Sequence, residues 1–389
     1  MSDKSFLDWP FFEDRHREFV ARMEAWAERE IGPEVHRYED LDTECRRLVR
    51  ILGDAGLIDV LAPEQGAPAL DVRTICLARE TLARYSGLAE VMYVMQGLGT
   101  GPITLFGTPA QRARYLPGVR AGTKIAAFAL SEPEAGSDVA SMATTAQRVP
   151  QGWRIDGVKT WISNGGIADH YVVFARTGEA PGAKGISTFI FDADTPGFSV
   201  VERLDVISPH PIATIRFDNC IIPADCILGQ PGEGFKVAMA TLDVFRTTVA
   251  AGALGFARRA LDEAVARAAT RMVMGKPLFE QQLIQGKIAD MACAVDASAL
   301  MTYRSAWTRD VKKVRVTRES SMAKLFATEA VQHVVDEAVQ IFGGLGVTKG
   351  SRAEELYRDV RAMRIYEGAS EVQRVIIARQ TLAAMKGKV

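Results

Sequence analysis

The sequence predicts a mainly α protein with a middle β-domain, arranged as an N-terminal helical domain, a β-barrel or sandwich and a C-terminal four-helix bundle. Three observations predict it. Apolar residues recur with the 3.6-residue helical period up to about residue 122, with a period of two from about 123 to 228, and with the helical period again from about 232 onward. Gly and Pro punctuate the short apolar runs of the middle stretch, as in small all-β folds. At 389 residues, 48% of them apolar, the chain is too long for one simple core, and two or three domains are expected. The expected boundaries are 1–122, 123–228 and 229–389.

In the first stretch, Arg15 to Glu30 places Phe19, Met23 and Trp26 on one helical stripe. Cys45 to Leu57 repeats the pattern, with Gly56 ending that helix, and Asp71 to Tyr85 offers Val72, Ile75 and Leu82. Leu88 to Leu105 is apolar on most sides, the mark of a helix packed deep in a protein. In the middle stretch, Trp153-Arg154-Ile155 and Val158 to Trp161 flank Asp156-Gly157, a type I′ hairpin signal. Tyr171 to Arg176, Ile186 to Asp192, Phe198 to Val201 and Thr214 to Phe217 read as further short strands. Helices then return at Glu233 to Ala269, Gln282 to Thr308, Ser320 to Phe342 and Ser370 to Met385, and these four could pack as a bundle.

Composition excludes several functions. The formal net charge is −1 with both signs interspersed, which argues against a nucleic-acid protein. Five scattered cysteines (Cys45, Cys76, Cys220, Cys226, Cys293) form no CxxC pair, so neither a metal knuckle nor a disulfide framework is indicated, and a reducing compartment is expected. The acidic, aromatic start MSDKSFLDWPFFEDRHREF resembles no targeting peptide. The final Met385-Lys386-Gly387-Lys388-Val389 is no peroxisomal address. By this reading no apolar run approaches membrane-spanning length. A cytoplasmic protein without membrane insertion, bacterial in style, is the resulting expectation.

One carboxylate stands out. Glu367 is followed at once by Gly368, and Ser370 and Gln373 then have the spacing of a capping box. That places Glu367 on a tight turn feeding a helix N-terminus, with Met363, Ile365 and Tyr366 available to wall it from water. A carboxylate in a dry pocket has a raised pKa and can act as a base near neutrality. The plain alternative is a surface turn glutamate.

Four further segments could carry chemistry. Phe128 to Asp138 enters a Pro/Gly loop whose N–H groups and Ser131 or Ser137 hydroxyls could meet a polar ring edge or a phosphate, or simply solvent. In Lys159 to Gly165, Trp161 could stack on a flat cofactor or fill a core. Arg271, before a Gly-Lys-Pro break, suits a pyrophosphate, or is a helix-terminal arginine favoured by the helix dipole. The glycines of Gln340 to Gly346 permit close backbone approach to a ligand, or serve as an ordinary C-cap.

The joint order and spacing of these segments resembles the acyl-CoA dehydrogenase family of flavoproteins over nearly the whole chain. The resemblance rests on Ala129 to Pro133 with Gly136-Ser137-Asp138, and on Gln340 to Gly344 with Arg358-Asp359 and Ile365 to Gly368. It implies FAD as cofactor, an acyl-CoA substrate, an electron-transfer flavoprotein as partner, and a homotetramer built as a dimer of dimers. It implies that Phe128, Leu130, Ser131, Gly136, Ser137, Trp161 and Ser163 meet the flavin, with Ser137 toward the phosphate or CoA side. Arg271, Met274, Gln282, Gln340, Gly343 and Gly344 would reach the FAD of a neighbouring subunit, and Ala369 and Glu371 are also assigned to the cofactor. Asp243, Phe245, Arg246, Tyr366 and Gly368 would shape the substrate pocket.

Glu367 matches the general base of an α,β-dehydrogenation, removing a Cα proton while a hydride leaves Cβ for the flavin. Some relatives carry the base just before the arginine at Arg246; that seat is Phe245 here, which cannot take a proton. The chain departs from the family at Ala369, where Thr is frequent, at Met274, where Phe is usual, and at the proline-rich Ser208-Pro209-His210-Pro211. Phe245 is bulky near the expected thioester and could disfavour long straight chains. No arginine occurs in Leu88 to Leu98, which disfavours a dicarboxylyl substrate. An oxidase, a non-redox flavin lyase and a silent acyl-CoA-binding protein remain as alternatives.

Overall fold

The computed structural model describes residues 3–32, 35, 38–64, 66 and 70–387. The terminal residues Met1, Ser2, Lys388 and Val389 quoted above lie outside them. Packing divides the chain into two compact units, Met1–Arg37 with Asp71–Glu90 and Asp243–Val389, and Tyr38–Leu70 with Val91–Leu242.

The first unit is helical. It holds α1 (Asp14–Glu30), α3 (Val72–Tyr85), α4 (Gly87–Phe106) as far as Glu90, α6 (Gly234–Thr270) from Asp243, α7 (Gln282–Lys312), α8 (Thr317–Phe342), α9 (Arg352–Arg361) and α10 (Ser370–Met385). α3 lies at its centre, with every residue from Val72 to Ala83 buried. Its N-terminal amides are satisfied from α7, because the Asp310 carboxylate accepts from the N–H groups of Val72 and Arg73 at 3.1 and 2.8 Å. Burial on all sides forces the charges of α3 to find partners. Glu80 meets Arg258 at 2.7 Å and the Tyr303 hydroxyl, while Arg79 meets Glu90.

Small residues let α6 approach α3 closely. A Cβ on Gly255 would stand 2.2 Å from the Glu80 carbonyl, so only glycine fits there. α6 is long and apolar enough by length and composition to cross a membrane, which corrects the expectation that no apolar run reaches that length. Its apolar window is 89% buried inside the protein, as a core helix requires.

The second unit holds α2 (Leu41–Asp54), α4 from Val91, α5 (Pro109–Arg120) and an eight-stranded sheet. The strands are β1 (Ala126–Ala129), β2 (Thr145–Val149), β3 (Gly152–Ser163), β4 (His170–Arg176), β5 (Ile186–Asp192), β6 (Phe198–Arg203), β7 (Ile212–Ile222) and β8 (Ile227–Leu228). Their order is β6-β7-β3-β2-β4-β5-β8, with β1 parallel to β4. A two-stranded ribbon of β9 (Met272–Val273) and β10 (Lys276–Pro277) follows α6.

The hairpin expected at Asp156-Gly157 is not there. Val149 pairs with Gly152, so the turn is at Pro150-Gln151, and β3 runs straight through Asp156 and Gly157 with a bulge against β7. Gly157 is needed for another reason: it has φ +151°, and a Cβ on it would lie 2.5 Å from Thr144 Oγ1. Two helices were not foreseen. α5 begins on Pro109 behind a Thr108–Gln111 capping box, and α9 begins behind Ser351.

Candidate active site

Glu367 sits between the short helical turn Ala362–Arg364 and α10, in the first unit. Glu367 and Gly368 are both left-handed, at φ +52° and +93°, two successive positive values as in a type I′ turn. Gly368 tolerates this; Glu367 is strained by it, at a cost of about 1–2 kcal/mol. Three side chains hold the turn by its carbonyls. Arg246 Nε donates to the Glu367 carbonyl at 3.3 Å, Lys324 Nζ to the Gly368 carbonyl at 2.9 Å, and Gln373 Nε2 to both, at 3.3 and 2.9 Å.

The expected capping box is therefore replaced by something more useful. Ala369 is the N-cap of α10, Ser370 Oγ donates to Glu329 at 2.5 Å, and the Gln373 amide reaches back to the Glu367–Gly368 turn instead of to a cap. Of the residues expected to wall Glu367 from water, Met363 is fully buried and Tyr366 is half-buried, but Ile365 is 60% exposed and points away from that task.

The Glu367 side chain is 9% exposed, and among the described residues its Oε2 meets no hydrogen-bond donor. Its Oε1 lies 4.0 Å from Arg79 Nη1. Burial raises its pKa above the usual carboxylate value; Arg79, Lys324 and Arg246 oppose the rise, and Glu90 adds to it. Arg79 is in turn held by Glu90 and by the Thr248 hydroxyl at 3.0 Å. A Cβ on Gly252 would press within 2.5 Å of Glu90, so α6 is cut to fit this ion pair. Arg246 is anchored by Asp243, whose carboxylate also accepts from Arg315 at 2.8 Å and Thr317 at 2.7 Å. Asp243, Phe245 and Arg246 are all buried.

The flavin-directed candidates Phe128, Leu130, Ser131, Gly136, Ser137, Trp161 and Ser163 lie in the second unit. The structure brings two of their segments together. The Thr160 N–H donates to the Ser131 carbonyl at 3.0 Å, and buried Lys159 bridges the Leu130 carbonyl at 3.0 Å and Glu132 at 2.8 Å. Trp161 has φ +58° and is 58% exposed. A strained, exposed indole beside the half-buried Ser131 and Ser163 is a surface for stacking a flat ring, so these residues fit a flavin. His210, a solvent loop residue by its sequence context, is instead turned inward: it meets Ser163 Oγ at 2.7 Å, and burial lowers its pKa to about 4. Phe128 packs on Phe174 in the core, and Gly136 and Ser137 are exposed.

Arg271, Met274, Gln282, Gln340, Gly343, Gly344 and Glu371 are exposed, and Ala369 is half-buried at the start of α10. Arg79, Glu90, Lys324 and Gln373 are the site residues that sequence reasoning missed. For Arg79 the available signal was a charge inside an otherwise buried helix. Among the described residues no cluster of His, Cys, Asp and Glu could hold a metal ion.

Comparison with known proteins places this chain in a class. Residues 13–123, 127–220 and 232–382 match, in order, the N-terminal, middle and C-terminal domains of acyl-CoA dehydrogenases. This is an oxidoreductase fold with all of its parts. The chain belongs to the acyl-CoA dehydrogenase family, whose members depend on FAD. It is 39% identical over 377 residues to the mitochondrial short-chain specific acyl-CoA dehydrogenase of Homo sapiens, covering 96% of this chain and 91% of that one. The structure of butyryl-CoA dehydrogenase from Megasphaera elsdenii superposes with a TM-score of 0.89 at 34% identity, covering 95% and 99% of the two chains. The FAD complex of an acyl-CoA dehydrogenase from Bacillus anthracis superposes with a TM-score of 0.89 at 30% identity, covering 100% of this chain and 72% of that one.

Proposed function

We propose that the protein oxidises an acyl-CoA thioester to the trans-2-enoyl-CoA, with Glu367 as the general base. The observation that carries this reading is the buried Glu367 carboxylate on a left-handed turn, with one oxygen free of donors and a raised pKa. The free oxygen accepts the Cα proton; the Cα–Cβ double bond forms as a hydride leaves Cβ. FAD, when bound, accepts that hydride. Burial makes the carboxylate a stronger base than in water, and the cations Arg79, Lys324 and Arg246 oppose that rise and favour its ionised form. The enolate that develops needs preorganised donors, and the Glu367 N–H on its fixed turn is the group this chain can offer.

The exposed Trp161 with Ser131 and Ser163 supports the flavin site, and electron-transfer flavoprotein as acceptor belongs to the same reading. Exposed Met274, Leu283 and Met385, at 93, 83 and 83%, support a homotetramer whose assembly covers them and brings Arg271, Gln282 and Gln340 to a neighbouring cofactor. The domain boundaries at 122 and 228 are part of this reading. Five free cysteines, Cys293 among them exposed, support a cytoplasmic site. The short-chain and butyryl names of two relatives favour a short acyl group.

The test is anaerobic titration of the FAD-loaded protein with a panel of straight, branched, alicyclic and aromatic acyl-CoAs. At least one should bleach the flavin, and Glu367→Gln should bind the same compound without bleaching. Bleaching by the variant at the wild-type rate removes Glu367 as the base.

A further inference from the structure

We propose that Lys324 is a positioning residue for this reaction: its ammonium, donating to the Gly368 carbonyl, holds the turn that aims the Glu367 carboxylate. The inference rests on Glu367 being the base. Lys324 lies on the buried face of α8, with Ala323, Ala327, Thr328 and Val331, and is 0% exposed. Burying an ammonium is expensive, and a methionine of similar length would fill the same space without that cost. Among the described residues the ion does not recover the cost through a close carboxylate. Its hydrogen bond runs to a neutral carbonyl, at 2.9 Å.

That carbonyl belongs to one of two successive left-handed residues. Fixing its oxygen holds the C-terminal half of the turn in this conformation, and relaxation of the strained pair to ordinary dihedrals would displace the Glu367 side chain with it. Gln373 fixes the same oxygen from the α10 side, and Arg246 fixes the preceding one from α6. Lys324 closes the clamp from the third element, α8. It also adds a positive charge beside the base, which a neutral donor could not.

The charged groups that bear on Nζ are Glu367, Arg246 on α6, Glu329 on α8 and Glu371 on α10. Burial lowers the Lys324 pKa to about 8 against the pull of Glu367. Above that pH the amine is neutral, its bond to the carbonyl weakens and the charge beside Glu367 is lost. Turnover should therefore fall on the alkaline side.

The experiment measures kcat, KM and their pH profiles for FAD-loaded wild type, Lys324→Met, Lys324→Arg and Glu367→Gln. The substrate is butyryl-CoA, or the panel member that bleaches the wild-type flavin fully. Lys324→Met should lower kcat at pH 7 by about tenfold or more, as expected for a displaced base, while KM changes by less than about threefold. Lys324→Arg should recover most of kcat at pH 7 and carry activity to higher pH, because a guanidinium does not titrate there. A Lys324→Met enzyme with kcat within about twofold of wild type overturns the proposal. So does a Lys324→Arg enzyme whose alkaline decline is unmoved, which decides the matter if the methionine variant does not fold. Turnover by Glu367→Gln would instead sink the assignment of the base, whatever the lysine variants do.

Discussion

Gly368→Ala puts the turn that carries the proposed base under a defined load. The added Cβ would lie 2.5 Å from Gln373 Nε2, and the residue would be held at φ +93°. Left-handed backbone costs an L-residue about 1–2 kcal/mol. The clash drives the Gln373 amide away, and that amide donates to the carbonyls of Glu367 and Gly368 at 3.3 and 2.9 Å. Each such bond contributes about 0.5–1.5 kcal/mol, so the whole change should destabilise the turn by about 2–5 kcal/mol. Part of this appears in global stability and part as displacement of Glu367, where a shift of about 1 Å lowers a rate by about 10²-fold. Urea unfolding reads the first part. Single-turnover flavin reduction by butyryl-CoA, monitored by stopped flow, reads the second. A variant that reduces its flavin at the wild-type rate with unchanged unfolding would refute the claim that the left-handed turn aims the base.

The other predictions concern charge and strain. Arg79 and Glu90 are each 1% exposed, so Arg79→Met, which strands a buried carboxylate, should destabilise the protein by about 3–5 kcal/mol in urea unfolding, and Arg79→Met with Glu90→Leu should recover most of it. The raised Glu367 pKa means that the folded state binds more protons than the unfolded chain between the ordinary carboxylate pKa and the raised one, so wild-type stability declines as pH rises through that window. Glu367→Gln lacks this decline and should melt no lower than wild type at pH 7; in the wild type, turnover should fall on the acid side at a pH above the ordinary carboxylate range. Gly157→Ala adds a Cβ 2.5 Å from Thr144 Oγ1 at φ +151° and should destabilise the sheet by about 1–3 kcal/mol, read as a lower melting temperature.

Much of the fold was legible because periodicity is local. Ile186 to Asp192 was read to the residue, and the helices at Asp71, Gln282 and Ser370 to within a few positions. The failures have physical causes. Asp156-Gly157 has good turn chemistry, yet the close approach of Thr144 demanded a glycine inside a strand. Two prolines, one at the first position and one inside, hid α5. Ser370 and Gln373 had the right spacing for a cap, but two carbonyls of a left-handed turn competed for the same amide and won it. Glu367 was found because a motif surrounds it. Arg79 and Lys324 were not, since each is one of several charges on its helix and nothing local marks it out from the others. They become site residues only when segments near 79, 246, 324 and 367 pack together, and no window on the sequence contains that.

The charges around Glu367 show why the site needs all of them. Burial alone would favour the protonated, idle form of the carboxylate, whereas cations alone would favour the ionised form and make it too weak a base. Here both act on one group, and the balance is set by where each cation is tied. Arg79 is drawn to Glu90 and Thr248, so its guanidinium stops 4.0 Å from Glu367 instead of forming a close pair. Arg246 and Lys324 spend their hydrogen bonds on the turn's carbonyls and reach the carboxylate only through their charge. No donor among the described residues occupies Oε2. A carboxylate bound by any of these cations directly would be more stable and less reactive. On the proposed role of Glu367, the anchors Glu90, Thr248, Asp243 and the two carbonyls are as much a part of the base as its own oxygens, because they keep its counter-charges near without letting them bind.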